Sequence, residues 1–190
     1  MSNDLSPGFV DPVADAQSCF RAVLDAMARP GKTHTVSGIF APAPLCNAAA
    51  AVLLTLADHE TPLWLDPAVA EARTWIGFHT GAPIVSAAQA MFAIGLALPD
   101  LAALQDGSDE MPETSATVIL QLASLTAGQQ YLLEGPGWRE PRLVTIDGLP
   151  RDFVSIWQRN RALYPRGIDL ILCAGDRLAA LPRSVSIREA

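Results

Sequence analysis

Apolar residues recur at a helical period near the start of the chain. Val13, Ala16, Phe20, Val23, Leu24 and Met27 mark one face of a helix, while Asp15, Gln17, Ser18, Arg21 and Asp25 fall on the others. Asp11 is placed to cap this helix and Pro12 to open it, since a proline loses no hydrogen bond at the first helical position. Arg29-Pro30-Gly31 predicts its end, because proline disfavours helical geometry in the residue before it and glycine accepts a turn. Thr33–Val36 then reads as a short strand. Residues 45–58 predict an Ala/Leu-rich helix that is apolar around most of its circumference and so covered on several sides. After a strand at Thr61–Leu65, Asp66-Pro67 repeats the cap-and-proline signal and opens a helix to about His79, with Gly81 as its stop.

Farther on, Ala90–Leu96 predicts a buried strand, Asp100–Gln105 a short helix, and residues 107–115 a polar, acidic loop. Strands follow at Ala116–Ala123, Tyr131–Glu134 and Arg142–Ile146, the last two joined by the turn Gly135-Pro136-Gly137. Asp152–Tyr164 is amphipathic, with Phe153, Ile156, Trp157, Leu163 and Tyr164 on its apolar side, and Asp169–Cys173 is a compact apolar strand. Strands alternating with helices predict an α/β fold: a mixed sheet with helices on both faces, a three-layer α/β/α sandwich. We expect one domain over residues 1–190, with residues 1–7 a flexible N-terminus.

Composition supports a packed core, with 50% hydrophobic and 17% charged residues. The formal net charge of −7 disfavours unaided binding to nucleic acid or anionic membrane. That charge is uneven, at −10 over residues 1–150 and +3 over residues 151–190. A basic C-terminal quarter suits contact with an anion or acidic partner, and equally suits pairing with the protein's own carboxylates. The apolar stretches near 45–57 and 82–104 are Ala-rich, and Pro83, Ser86, Gln89, Pro99 and Asp100 break the second, so neither suits a membrane span. The N-terminus shows no secretory pattern, and a cytoplasmic location is expected. Cys19, Cys46 and Cys173 are scattered without a CxxC and read as reduced thiols in the core.

Gly31-Lys32-Thr33 matches the end of a phosphate-binding loop, but position 26 is alanine, a helix precedes it and a strand follows, so that loop is excluded. Lys32 is the one lysine in the chain, and in a turn its ammonium is expected to be solvated instead of desolvated for Schiff-base chemistry. His34, His59 and His79 have no metal-ligand spacing; no metal and no cofactor are expected. His79 falls near a helix C-terminus, where it can cap carbonyls, or where its imidazolium is favoured and Gly81 lets a ligand approach. Arg29, Arg166 and Arg183 lie at turns, suited to bidentate contact with phosphate or carboxylate, or to subunit contacts. No nucleophile–base signature is present, so no catalytic residue is assigned.

Several segments taken together carry a resemblance. Gly8-Phe9-Val10-Asp11-Pro12-Val13 leads into Ala26-Met27-Ala28-Arg29-Pro30-Gly31, and then come Glu60-Thr61-Pro62-Leu63-Trp64-Leu65 and Phe78-His79-Thr80-Gly81-Ala82-Pro83. Gly135-Pro136-Gly137, Tyr164-Pro165-Arg166-Gly167-Ile168-Asp169 and Leu181-Pro182-Arg183-Ser184 complete the series. From about residue 8 to 187 it resembles the PhnH family of the bacterial carbon–phosphorus lyase system; Trp138 departs from the aliphatic residue expected after the turn. The resemblance implies a fold similar to the large domain of pyridoxal-phosphate-dependent transferases without the cofactor. It also implies an accessory subunit that dimerises when isolated and works with PhnG, PhnI and PhnJ. With PhnL, such subunits support the displacement of adenine from ATP by a phosphonate, giving a ribose 1-phosphonate 5-triphosphate. Arg29, His79, Thr80, Gly81, Arg166, Asp169 and Arg183 are the ligand or interface candidates. A second reading has Arg29, His79 and Arg183 converge on phosphonate or nucleotide.

Overall fold

The computed structural model describes residues 5–136 and 138–190. Residues 1–4 of the expected flexible start, and Gly137 of the Gly-Pro-Gly turn, lie outside them. Helix α1 runs Pro12–Ala28, and the Asp11 carboxylate accepts the backbone N–H of Val13 and Ala14 as an N-cap. Strand β1 is only His34–Thr35, and α2 spans Asn47–Leu56 with Ala48 to Leu53 all buried. Strand β2 is Leu63–Leu65. The helix expected after Asp66 is divided into a 3-10 segment, Pro67–Ala72, and α3, Arg73–Thr80, which ends on Gly81 at φ +68°.

Strands β3 (Phe92–Gly95), β4 (Thr117–Gln121), β5 (Ser124–Glu134) and β6 (Arg142–Asp147) follow. Then come α4 (Phe153–Arg161), β7 (Asp169–Ala174), β8 (Arg177–Leu181) and β9 (Ser186–Glu189). The helix expected at Asp100–Gln105 is a 3-10 turn at Leu101–Ala103.

Six strands form a mixed sheet in the order β1-β8-β7-β4-β3-β2, with β2, β3, β4 and β7 parallel and β8 antiparallel to both neighbours. Ile84 adds a parallel bridge outside β2, so the chain moves outward over α3 and returns inward past Ala87 on the opposite face. That route gives every parallel crossover the same hand.

The period-2 alternation of the strands divides the core. Ile94, Ile119, Ile171 and Cys173 face α1, α2 and α3, whereas Ala93, Val118, Leu120, Leu170 and Leu172 face the other side. That second side is not a helical layer alone. It holds α4 together with a three-stranded antiparallel sheet in the order β6-β5-β9, so the hairpin expected around Gly135 belongs to a separate sheet.

The apolar face of α1 also differs from its sequence reading. Cys19, Val23 and Ala26 are buried, while Val13, Phe20 and Leu24 are 69%, 46% and 53% exposed. The core takes the line of small residues, about 100° around the helix from Phe20, because α1 packs closely on α2 and β8. On α4, Phe153, Trp157 and Asn160 are buried, while Leu163 and Tyr164, expected inside on the same helix, lie past its end at Arg161 and are exposed.

Candidate functional site

The candidate residues fall into three separate contact sets. The first gathers at the start of β7. Asp169 lies opposite Thr117 of β4, and Arg183 follows β8, whose Leu181 pairs with Leu170. Arg183 donates from its backbone N to Asp169 Oδ1 at 2.7 Å, from Nε to both carboxylate oxygens at 3.2 Å, and from Nη2 to Oδ2 at 2.6 Å. Its Nη1 donates to the carbonyls of Pro112 at 2.8 Å and Pro165 at 3.4 Å. The two side chains are only 14% and 18% exposed. This fork spends most of the guanidinium's donors on the protein itself.

Arg166 is tied to the acidic loop, at 3.3 Å from Asp106 and 3.2 Å from Asp109. Gly167, at φ +113°, passes so close to Asn160 that a Cβ would lie 3.0 Å from the Asn160 carbonyl oxygen. Asn160 in turn mimics a backbone partner, donating to the Ile168 carbonyl at 2.9 Å and accepting its N–H at 2.8 Å. The Pro165–Asp169 block is thus a knot joining α4, β7 and the 106–114 loop.

The second set closes α3. His79 Nε2 lies 3.0 Å from the Ser6 carbonyl, which also accepts the Trp75 indole N–H at 2.9 Å. The imidazole packs against Trp75 and Phe78 at ring separations of 4.6 and 5.0 Å. Thr80 Oγ1 donates to the Ile76 carbonyl and accepts the N–H of Ala82, while Gly81 N–H donates to the Gly77 carbonyl. The three residues secure a helix end and the N-terminal segment.

The third set surrounds Asp25. Arg29 pairs with its carboxylate, Lys32 Nζ lies 2.6 Å from Oδ2, and His34 Nε2 lies 3.0 Å from the same oxygen. Burial, then the charges of Lys32 and Arg29, hold the His34 pKa below its ordinary value. Arg29, His79 and Arg183 therefore have separate partners, and no contact joins them. Lys32 and His34 as neighbours of Arg29 were not legible in the sequence, because the carboxylate that gathers them lies one helical turn earlier.

The cysteines, distant in sequence, meet in space: Cys19, Cys46 and Cys173 belong to or pack on the core cluster between the helices and the main sheet. Burial pushes all three thiols up, Cys173 most, with a contribution from the other two. Inert core thiols are the result. Among the described residues, no group of three or more His, Cys, Asp or Glu side chains is arranged to hold a metal, and no helix is long and apolar enough to cross a membrane. A cleft of about 470 Å³ lies between residues 99–106 and α4, with Leu104 and Ile156 along it and Asp100, Asp152 and Arg159 among its polar residues.

Apolar side chains also stand in solvent. Val13, Phe20 and Leu24 form one stripe along α1. At its start, the Val10 N–H donates to the Gly38 carbonyl and Phe9 bridges Ile39, placing Val10 (75% exposed) and Phe40 (81% exposed) on neighbouring segments. The stripe is the signal the sequence reading assigned to the core.

The family described as "Bacterial phosphonate metabolism protein (PhnH)" matches residues 7–188. A protein of Rhizobium meliloti (strain 1021), named alpha-D-ribose 1-methylphosphonate 5-triphosphate synthase subunit PhnH, is 41% identical over 189 residues, covering 96% of this chain and 94% of the relative. HtxG of Stutzerimonas stutzeri, named as a candidate C-P lyase subunit protein, is 30% identical over 178 residues, covering 90% of this chain and 85% of the relative. A match across nearly the whole chain leaves one assignment: the protein belongs to the PhnH family of bacterial phosphonate metabolism proteins.

Proposed function

We propose that this chain is an accessory subunit of a carbon–phosphorus lyase core complex, acting with PhnG-, PhnI- and PhnJ-type subunits in the cytoplasm. There it supports formation of a ribose 1-phosphonate 5-triphosphate from ATP and an alkylphosphonate. The relatives' names place them as subunits of such systems. The observation that carries the accessory role is the exposed apolar stripe Val13, Phe20 and Leu24, continued toward Val10 and Phe40. Large apolar side chains gathered on one exposed helix face favour a protein surface that covers them. The reading extends to a homodimer in isolation. It also keeps kinship with the large domain of pyridoxal-phosphate transferases, for which the mainly parallel mixed sheet is the support and superposition on such a domain the test.

Co-expression with the other subunits tests the docking role. The wild-type chain is expected to co-purify in fixed stoichiometry, and Phe20→Asp with Leu24→Asp to abolish this while leaving the fold intact by circular dichroism. A folded double variant that assembles normally would refute α1 as the docking face. A wild-type chain that never associates would refute the accessory role.

A further inference from the structure

Only six basic side chains occur among the first 150 residues, against sixteen acidic ones. The fold brings three of them, Arg29, Lys32 and Arg142, to one short loop between α1 and β1. Gly31, at φ +83°, turns this loop so tightly against β6 that a Cβ would lie 3.0 Å from Val144. That approach lets Arg142 Nη1 donate to the Pro30 carbonyl at 3.2 Å while its guanidinium lies 4.6 Å from the Trp138 ring centre. Arg29 and Lys32 converge from the other side on Asp25.

From this convergence we infer that the α1–β1 loop binds a small, multiply charged phosphate anion through Arg29, Lys32 and Arg142. The inference is independent of the docking role assigned to α1.

The charge balance favours it. Arg29 and Lys32 share the one Asp25 carboxylate, and Arg142 is held at the Pro30 carbonyl of the same loop, so these four groups carry a surplus of two positive charges on a chain whose net charge is −7. The α1 C-terminus opposes an anion with about half a negative charge, which the surplus exceeds. Donors remain available: Lys32 commits one ammonium N–H to Asp25, and Arg29 and Arg142 each commit one guanidinium nitrogen. Lys32 and Arg29 are 51% and 60% exposed, so these donors face solvent. Asp25 acts as the clasp that holds like charges together before the ligand arrives. The compact footprint, four consecutive loop residues and one strand residue, suits a phosphate chain better than an extended acidic protein surface.

His34 reports occupancy. It faces Asp25 from α1 and Arg29 and Lys32 from the loop, with Arg177 of β8 paired to the adjacent Thr35. An anion that offsets Arg29 and Lys32 removes part of the repulsion that now disfavours its protonation.

The test is calorimetric titration of the full chain with sodium tripolyphosphate at low salt, with NMR titration of the His34 ring protons with and without the anion. We expect saturable one-to-one binding, a rise in the His34 titration midpoint when bound, and affinity about tenfold weaker in Lys32→Ala and in Arg29→Ala. Absence of saturation by about 10 mM ligand overturns the proposal, because sites far weaker than micromolar would fill in that range. Unchanged affinity in a folded Arg29→Ala/Lys32→Ala double variant overturns it too. So does an equal His34 shift with sulfate at matched ionic strength, or tighter binding of a poly-glutamate peptide than of tripolyphosphate. Arg142 also braces Pro30, so Lys32→Ala decides if Arg142→Ala does not fold.

Discussion

Replacing Arg183 with alanine is expected to damage the fold, not a ligand site. The variant removes a guanidinium that makes three contacts of 2.6 to 3.2 Å with Asp169 and two with the carbonyls of Pro112 and Pro165. It leaves the Asp169 carboxylate with the backbone N–H of residue 183 as its remaining partner in this set. Breaking a fully buried ion pair by removing one member costs about 3–5 kcal/mol. Here the side chains are 14% and 18% exposed, so water compensates in part, and we expect about 2–3 kcal/mol. At roughly 2–4 °C per kcal/mol for a chain of this size, the melting temperature falls by about 4–12 °C. Urea denaturation followed by circular dichroism measures the change directly, with Arg183→Lys as a comparison that restores charge without the bidentate fork. A stability change below about 0.5 kcal/mol, in the range of ordinary surface substitutions, would refute the assignment of Arg183 as a strut. It would return the residue to the list of ligand contacts.

Asn160→Ala is expected to cost about 2–3 kcal/mol in the same assay, because it orphans both backbone groups of the buried Ile168; a neutral result would mean water replaces the amide. For His34, the folded pKa is depressed, so the unfolded chain takes up a proton first as pH falls. Its contribution is intact above the unfolded value of about 6.5 and declines as pH drops through that value toward the lower folded one. His34→Gln should flatten the stability profile across this window, and unchanged curvature in urea midpoints measured over the window would count against the account. Phe20→Asp with Leu24→Asp should lower monomer stability by no more than about 3 kcal/mol, since both side chains are about half exposed and the helix loses only partial burial and some propensity; a loss above about 5 kcal/mol would show that the pair is part of the core.

Elements whose local chemistry agreed with the tertiary environment were legible. Asp11-Pro12 and Asp66-Pro67 each place a carboxylate next to freed backbone N–H groups, and both act as caps in the fold. The all-round apolar pattern of α2 required cover on every side and received it. Strand β8, Arg-Leu-Ala-Ala-Leu, was missed because its alanines carry no strand preference. It exists because Gly175, at φ +59°, and Asp176 turn the chain back along β7. Strand β9 was missed for a related reason: its partner, β5, lies some fifty residues upstream.

For the candidate site, the residue types were identified and their grouping was not. Arg29, His79 and Arg183 lie at turns as expected, but a turn does not reveal which carboxylate or carbonyl awaits the side chain. Arg183 meets Asp169 because β7 and β8 are antiparallel neighbours, and Arg142 meets the Pro30 loop because β6 lies beside Gly31.

The amino-acid order alone settled the α/β class, the helix starts, and a family resemblance carried by turn motifs, since these depend on interactions within a few residues. Tertiary structure decided which side of α1 meets the core, which strands form the second sheet, and which charges neutralise one another. Those outcomes depend on packing between segments far apart along the chain, where one helical face is chosen over another by the size of the residues it must fit against. Val13, Phe20 and Leu24 left in water, and Cys19, Val23 and Ala26 taken inside, are the plainest product of that choice.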